Sequence, residues 1–195
     1  MIALISPVYR RFAKVASFLQ GQLRLLHLRL KHGSALRMHR SVRIGSNVLI
    51  SIRNGGRVEM GEGVLIRDGA SLNANGGAIL LGAGSFINRN SSINSQKSVE
   101  LAANVLVGEN AAIYDHDHLI EAGGTVARNT FTVDPVSIGE GAWICTGVVV
   151  LKGTRAGRNA VIAAGAIVKG EVEDNTILIQ KRTSIFRKHA SIPQG

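Results

Sequence analysis

From Ile44 onward a large aliphatic residue recurs at every sixth position, often with glycine directly after it. Ile44-Gly45 and Ile50 open the pattern, and Met60-Gly61, Ile66 and Leu72 follow. Leu81-Gly82, Ile87 and Ile93 come next, then Leu101, Val107-Gly108 and Ile113. After a break the series resumes with Ile138-Gly139, Ile144, Val150, Ala156-Gly157, Ile162 and Val168. A helical face needs a period of 3.6 and an alternating strand a period of 2, so a period of six fits neither. It fits one side of a triangular coil: a short strand with one large side chain inside, followed by a corner. Three sides make a coil of about 18 residues, and stacked coils bury a continuous aliphatic column. Asn47, Gly63, Asn104, Asn110, Gly141 and Asn159 stand where corners fall, and these residue types tolerate positive φ.

The pattern predicts an all-β solenoid, a left-handed parallel β-helix, over residues 44–176. Only 4% of the residues are aromatic, so its core must be aliphatic. Solenoid ends need covers. Residues 1–43, basic and mainly helical, are expected at one end. Residues 177–195, with Lys181, Arg182, Arg187 and Lys188, form a short C-terminal extension at the other. The 45% apolar and 18% charged composition excludes wholesale disorder. A lone cysteine, Cys145, excludes an intramolecular disulfide framework and a four-cysteine zinc site.

The net charge of +10 is unevenly placed. Eleven lysines and arginines precede Glu59, the first acidic residue. Over residues 9–31 Phe12, Val15, Leu19, Leu23, Leu26 and Leu30 recur at spacings of three and four, which predicts an amphipathic helix. Such a helix suits an anionic membrane surface, or its stripe packs on the body or on a neighbouring subunit. No apolar run is long enough for a transmembrane helix. The start has its apolar run before Arg10 and Arg11, the reverse of a secretory signal. The reading is cytoplasmic, with peripheral contact on the inner membrane face as an option. Nucleic-acid binding is not expected, because the basic segment is poor in aromatics and carries no recognised motif.

The break, about residues 114–137, is a functional loop by its length. It opens with Tyr114-Asp115-His116-Asp117-His118. Three chemistries fit this cluster: a metal site completed by carboxylates, a solvated polar loop, and general base catalysis by an imidazole.

The chain resembles the hexapeptide-repeat acyltransferases, in particular the galactoside, maltose and capsular-polysaccharide O-acetyltransferase group. Four segments carry the resemblance: Phe86-Ile87-Asn88-Arg89-Asn90-Ser91-Ser92-Ile93, Ile113 to His118, Ala142-Trp143-Ile144, and Asn159-Ala160-Val161-Ile162-Ala163-Ala164-Gly165-Ala166. The resemblance implies that His118, five residues after Ile113, is the catalytic base, with His116 and Asp117 beside it. It implies that Asn88 orients the acceptor hydroxyl, and that Trp143 walls the cleft near the thioester. Asp115 and Asp117 are further candidates for acceptor contact or for orienting an imidazole. Acetyl-CoA is the implied co-substrate, with no metal. Its pantetheine arm would meet Thr146, Gly147, Ala163, Ala164 and Gly165, and its phosphates Arg155, Arg158, Lys169, Lys181 or Arg182. Cys145 is read as a small cleft-lining residue and not as a nucleophile. The family's usual Gly-Asn-Pro-Ala-Lys is replaced here by Ile179-Gln180-Lys181-Arg182-Thr183.

The expected function is acetyl transfer from acetyl-CoA to a sugar hydroxyl of a surface polysaccharide or its precursor, by a homotrimer with clefts between subunits. The alternatives are N-acyl transfer to a nucleotide-linked amino sugar and a non-catalytic β-helix scaffold.

Overall fold

The computed structural model describes residues 21 and 23–186. Three parallel sheets of seven, seven and six strands wrap a triangular prism. The first face begins with Leu36–Met38, the second with Arg43–Ile44 and the third with Leu49–Arg53. Six full coils stack in this way, and two sides of a seventh, Glu171–Val172 and Ile177–Leu178, close the top. The ladder thus runs from Leu36 to Leu178. Its first strand lies upstream of the regular repeat, because Leu36-Arg37-Met38 lacks the aliphatic-glycine signature.

Every repeat position from Ile50 to Val168 is buried, so the sixfold series is the core column. The structure adds a second inward residue two positions earlier on each side, such as Val64 before Ile66, Ala70 before Leu72 and Val148 before Val150. A large aliphatic side chain buried this way contributes about 1.5–3 kcal/mol. Where the second position is polar, the next coil satisfies it. Ser85 donates to the Ala102 carbonyl at 3.0 Å, and Ser91 donates to the Gly108 carbonyl at 2.6 Å. The six asparagine and glycine corners named from sequence all have positive φ, between 54° and 71°.

The coils are not of one length. Leu36 stacks on Val58, Val58 on Ile79 and Ile79 on Val99, which are steps of 22, 21 and 20 residues. Higher up, Ser137 stacks on Arg155 and Arg155 on Glu171, steps of 18 and 16. The lower coils carry their extra residues between the third face and the first, in the longer strands Leu49–Arg53, Ser71–Asn75 and Ser92–Ser95.

Residues 23–32 are helical and cover the lower end. Leu28 joins the core. Arg24 donates to the carbonyls of Gly45 at 2.5 Å and Val48 at 2.9 Å, and His32 donates to the Ile50 carbonyl at 3.2 Å. These carbonyls have no coil below them to bond. Phe12, Val15 and Leu19 of the expected helix lie outside the described residues. At the other end the Gln180 amide pairs with both the N–H and the carbonyl of Ile167, at 2.9 and 2.6 Å. Arg187 and Lys188 lie outside the described residues.

Candidate active site

The break in the repeat is an antiparallel hairpin of His116–Ile120 and Val126–Val133. It leaves the ladder after the fourth coil, where the third face gives way to the first. The ladder closes beneath it, with Val99 stacked on Val136. Gly123 and Gly124, at φ 121° and 85°, make its turn. The hairpin is the place where the two histidines are presented.

Ile113 points inward, Tyr114 outward, and Asp115 inward again, by strand alternation. Asp115 is therefore 0% exposed. Its carboxylate accepts from the Ser95 hydroxyl and from the backbone N–H of Gln96 and Lys97, all at 2.8 Å. It accepts a fourth bond from His116 Nδ1 at 2.9 Å. The expectation that Asp115 contacts acceptor is thereby corrected: its oxygens are sealed inside the coil and occupied. With three other donors on the carboxylate, Nδ1 of His116 is the donor, and in the neutral ring Nε2 is the acceptor.

His118 is held by a different group. Its Nδ1 lies 2.9 Å from the Ala127 carbonyl. A carbonyl can only accept, so again Nδ1 is the donor, and in the neutral ring Nε2 is the acceptor. Phe131 separates the two imidazoles, with ring centroids 5.1 Å from His116 and 4.8 Å from His118. Asp117 points away from both bonds and pairs with Lys152 at 3.1 Å. Lys152 also donates to the Thr132 hydroxyl, so it ties the hairpin to the fifth coil.

A second group of expected site residues lies along the corner between the second and third faces. Asn88, Thr146, and the pair Ala163 and Ala164 fall in this corner in the third, fifth and sixth coils. Trp143 stands beside it on the outer surface of the second face, 49% exposed. Gly165 donates to the Thr146 carbonyl at 2.9 Å, and Arg182 donates to the Gly165 carbonyl. Lys181, next to Arg182, is exposed. Lys169 is not part of this group. It follows the strand Ile167–Val168 and lies at the corner between the third face and the first, the edge that carries the hairpin.

Glu109 is a member of this corner that sequence reasoning missed. Its own backbone N–H, the Thr146 hydroxyl and the Asn88 amide hold its carboxyl below the usual glutamate range, and nearby Arg89 adds to this. Thr146 donates to it at 3.1 Å, and the side-chain Oδ1 of Asn88 accepts from the Arg89 backbone N–H at 2.9 Å. No local sequence signal marks Glu109, because its partners come from the coils above and below. Cys145 is half-buried, and burial pushes its thiol up, against thiolate chemistry.

The structure thus gathers the expected residues, with Glu109 added, into two groups on opposite edges of the third face. Asp115, His116, Asp117, His118 and Lys169 are on one edge. Asn88, Glu109, Thr146, Ala163, Ala164 and Arg182 are on the other, with Trp143 alongside.

No family model matches the chain. Among curated proteins it is 28% identical over 147 residues to WbbJ of Escherichia coli, provisionally named a lipopolysaccharide biosynthesis O-acetyl transferase, covering 71% of this chain and 75% of that one. It is 31% identical over 90 residues to YJL218W of Saccharomyces cerevisiae, provisionally named an acetyltransferase, covering 46% of this chain and 45% of that one. It is 40% identical over 53 residues to galactoside O-acetyltransferase of Lactococcus lactis, covering 27% and 26%. The chain thus spans less than half the length of two of these three relatives. A solved structure of AntD, an N-acyltransferase from Bacillus cereus in complex with dTDP-4-amino-4,6-dideoxyglucose and coenzyme A, superposes with a TM-score of 0.64 at 17% identity. That match covers 86% of this chain and 90% of the other. The chain is accordingly a left-handed parallel β-helix, the fold it shares with that acyltransferase, and it is related in sequence to proteins named as acetyltransferases.

Proposed function

We propose that the protein transfers an acetyl group from acetyl-CoA to a hydroxyl of a surface glycan or its precursor, with His118 as general base. The observation that carries this reading is the bond from His118 Nδ1 to the Ala127 carbonyl, which in the neutral ring leaves Nε2 as the acceptor nitrogen on an exposed hairpin. In the step, Nε2 takes the acceptor proton as the hydroxyl oxygen bonds to the thioester carbonyl carbon. The C–S bond then breaks, and the leaving thiolate takes the proton back from His118. The Thr146–Ala164 corner with Arg182 is the proposed CoA side, and Asn88 and Trp143 the proposed acceptor side. His116 is a second reading for the base, favoured by its bond to the buried Asp115.

The proposed working unit is a homotrimer. Two observations support it. The hairpin and the Asn88–Thr146 corner stand on opposite edges of one face, so two copies side by side would bring unlike edges together. The second face also presents an in-register apolar row, Leu65, Phe86, Leu106, Trp143, Val161 and Ile177, suited to a subunit contact. Among the described residues no helix is long and apolar enough to cross a membrane. The basic N-terminal segment is the proposed contact with an anionic membrane surface.

The test is thiol release from acetyl-CoA across a panel of glycans and nucleotide-linked amino sugars. Ester formation on a glycan, lost in His118→Ala, supports the reading. Amide formation on an amino sugar replaces it with N-acyl transfer, and no release with any acceptor leaves a scaffold.

A further inference from the structure

Helix 23–32 has two apolar faces, and the solenoid uses one. Leu28 points into the core, flanked by Arg24 and His32, which bond coil carbonyls. At 100° per residue, Leu23, Leu26 and Leu30 fall within about 60° of one another and roughly opposite Leu28. They are 67%, 52% and 77% exposed. Because Arg24 and His32 pin the helix in rotation, this stripe is held outward. It is the same stripe that the sequence continues upstream at Leu19, Val15 and Phe12.

The charges of the helix and of the first coil are of one sign. Arg29 and Lys31 flank the stripe on its two sides, and both are exposed. Arg37, Arg40 and Arg43 of the first coil are exposed as well. No acidic residue occurs before Glu59. Long cationic side chains beside an apolar stripe reach phosphate groups while their stems stay in the acyl boundary.

We propose that Leu23, Leu26 and Leu30 seat in the interface of an anionic phospholipid membrane, with Arg29 and Lys31 at the headgroups on either side. This rests on the membrane contact proposed above and names the side chains that make it. Each basic residue near an anionic surface adds attraction that salt screens, so the binding is electrostatic in onset and hydrophobic in seating.

The test uses the full chain and co-sedimentation with phosphatidylcholine vesicles, with and without phosphatidylglycerol. Binding is expected only with phosphatidylglycerol, and high salt should release it. The triple variant Leu23→Ser, Leu26→Ser, Leu30→Ser should weaken it at least about tenfold, since each leucine carries a large transfer free energy. Arg29→Gln with Lys31→Gln, at exposed positions with no part in the core, should flatten the salt dependence. Failure of the wild type to bind phosphatidylglycerol vesicles overturns the proposal. Undiminished binding by the triple variant overturns it too. So does a triple variant that changes oligomeric state by light scattering while binding vesicles as before, which makes the stripe a subunit contact. Acyl transfer to a soluble acceptor, measured in parallel, should be unchanged in both variants, so that loss of vesicle binding and loss of the enzymatic reading are told apart.

Discussion

His116 Nδ1 lies 2.9 Å from Oδ1 of Asp115, so the residue that seats an imidazole is also the residue that anchors the hairpin. The carboxylate binds Gln96 and Lys97 of the coil below and His116 of the hairpin at once. Asp115→Asn keeps the shape but turns a donor toward donors in a fully buried place. It should cost about 3–5 kcal/mol in urea unfolding, the range for breaking a buried charged network. His116→Ala leaves the three other bonds and should cost distinctly less. Equal losses in the two variants would show that Asp115 is not the anchor.

His118→Ala should lower kcat by roughly 10²–10⁴, the usual contribution of a positioned base. Affinity for acetyl-CoA should change little. A dead His116→Ala beside a nearly normal His118→Ala would move the base to the Asp115-linked imidazole.

Gly108 tests the link between fold and corner. A Cβ there would stand 2.6 Å from the Thr146 N and 2.7 Å from the Cys145 carbonyl carbon, both backbone atoms of the next coil. Gly108→Ala should therefore push that coil away, at about 1–3 kcal/mol as for other overpacking. Because the push falls on Thr146, the KM for acetyl-CoA should rise more than kcat falls. A KM that stays at the wild-type value would remove Thr146 from the CoA side.

Burial raises the Cys145 thiol, so less thiolate is present at pH 8 than for an ordinary cysteine. Iodoacetamide labelling should be slow at that pH and should speed up on unfolding. Cys145→Ser should retain acyl transfer. An inactive serine variant with wild-type stability would point to covalent catalysis instead.

Burial, with the charge of Lys31 next, lowers the His32 imidazole, against its bond to the Ile50 carbonyl. The unfolded chain then binds more protons than the folded one just below pH 6.5, so stability rises with pH across that window. The thermal midpoint should fall as pH drops from neutral toward 5.5, and His32→Gln should reduce the slope. A slope unchanged by His32→Gln would assign it to other groups.

The repeat was legible because each sixth residue meets the same environment, and Ile50 through Val168 all proved buried. The second inward position was not, because Ala70, Ser85 and Ser91 look like ordinary small residues in sequence. Asp115 was half legible: counting by two from Ile113 points it inward, but its partners lie about twenty residues away on another coil. Glu109 had no signal, since Thr146 is 37 residues distant. Asn88 and His118 read as one site along the chain, and stacking puts them on different edges.

The hairpin leaves between two coils whose ladder closes beneath it, Val99 on Val136, as though nothing had been inserted. The rungs of the prism and the hairpin with its two imidazoles therefore lie in separate stretches of the chain. Residues 119–131 can be lengthened, shortened or exchanged without touching a single rung of the prism. A chain built this way can vary its hairpin at little risk to its folding, so long as Asp115 and the contacts of Lys152 to Asp117 and Thr132 are left in place.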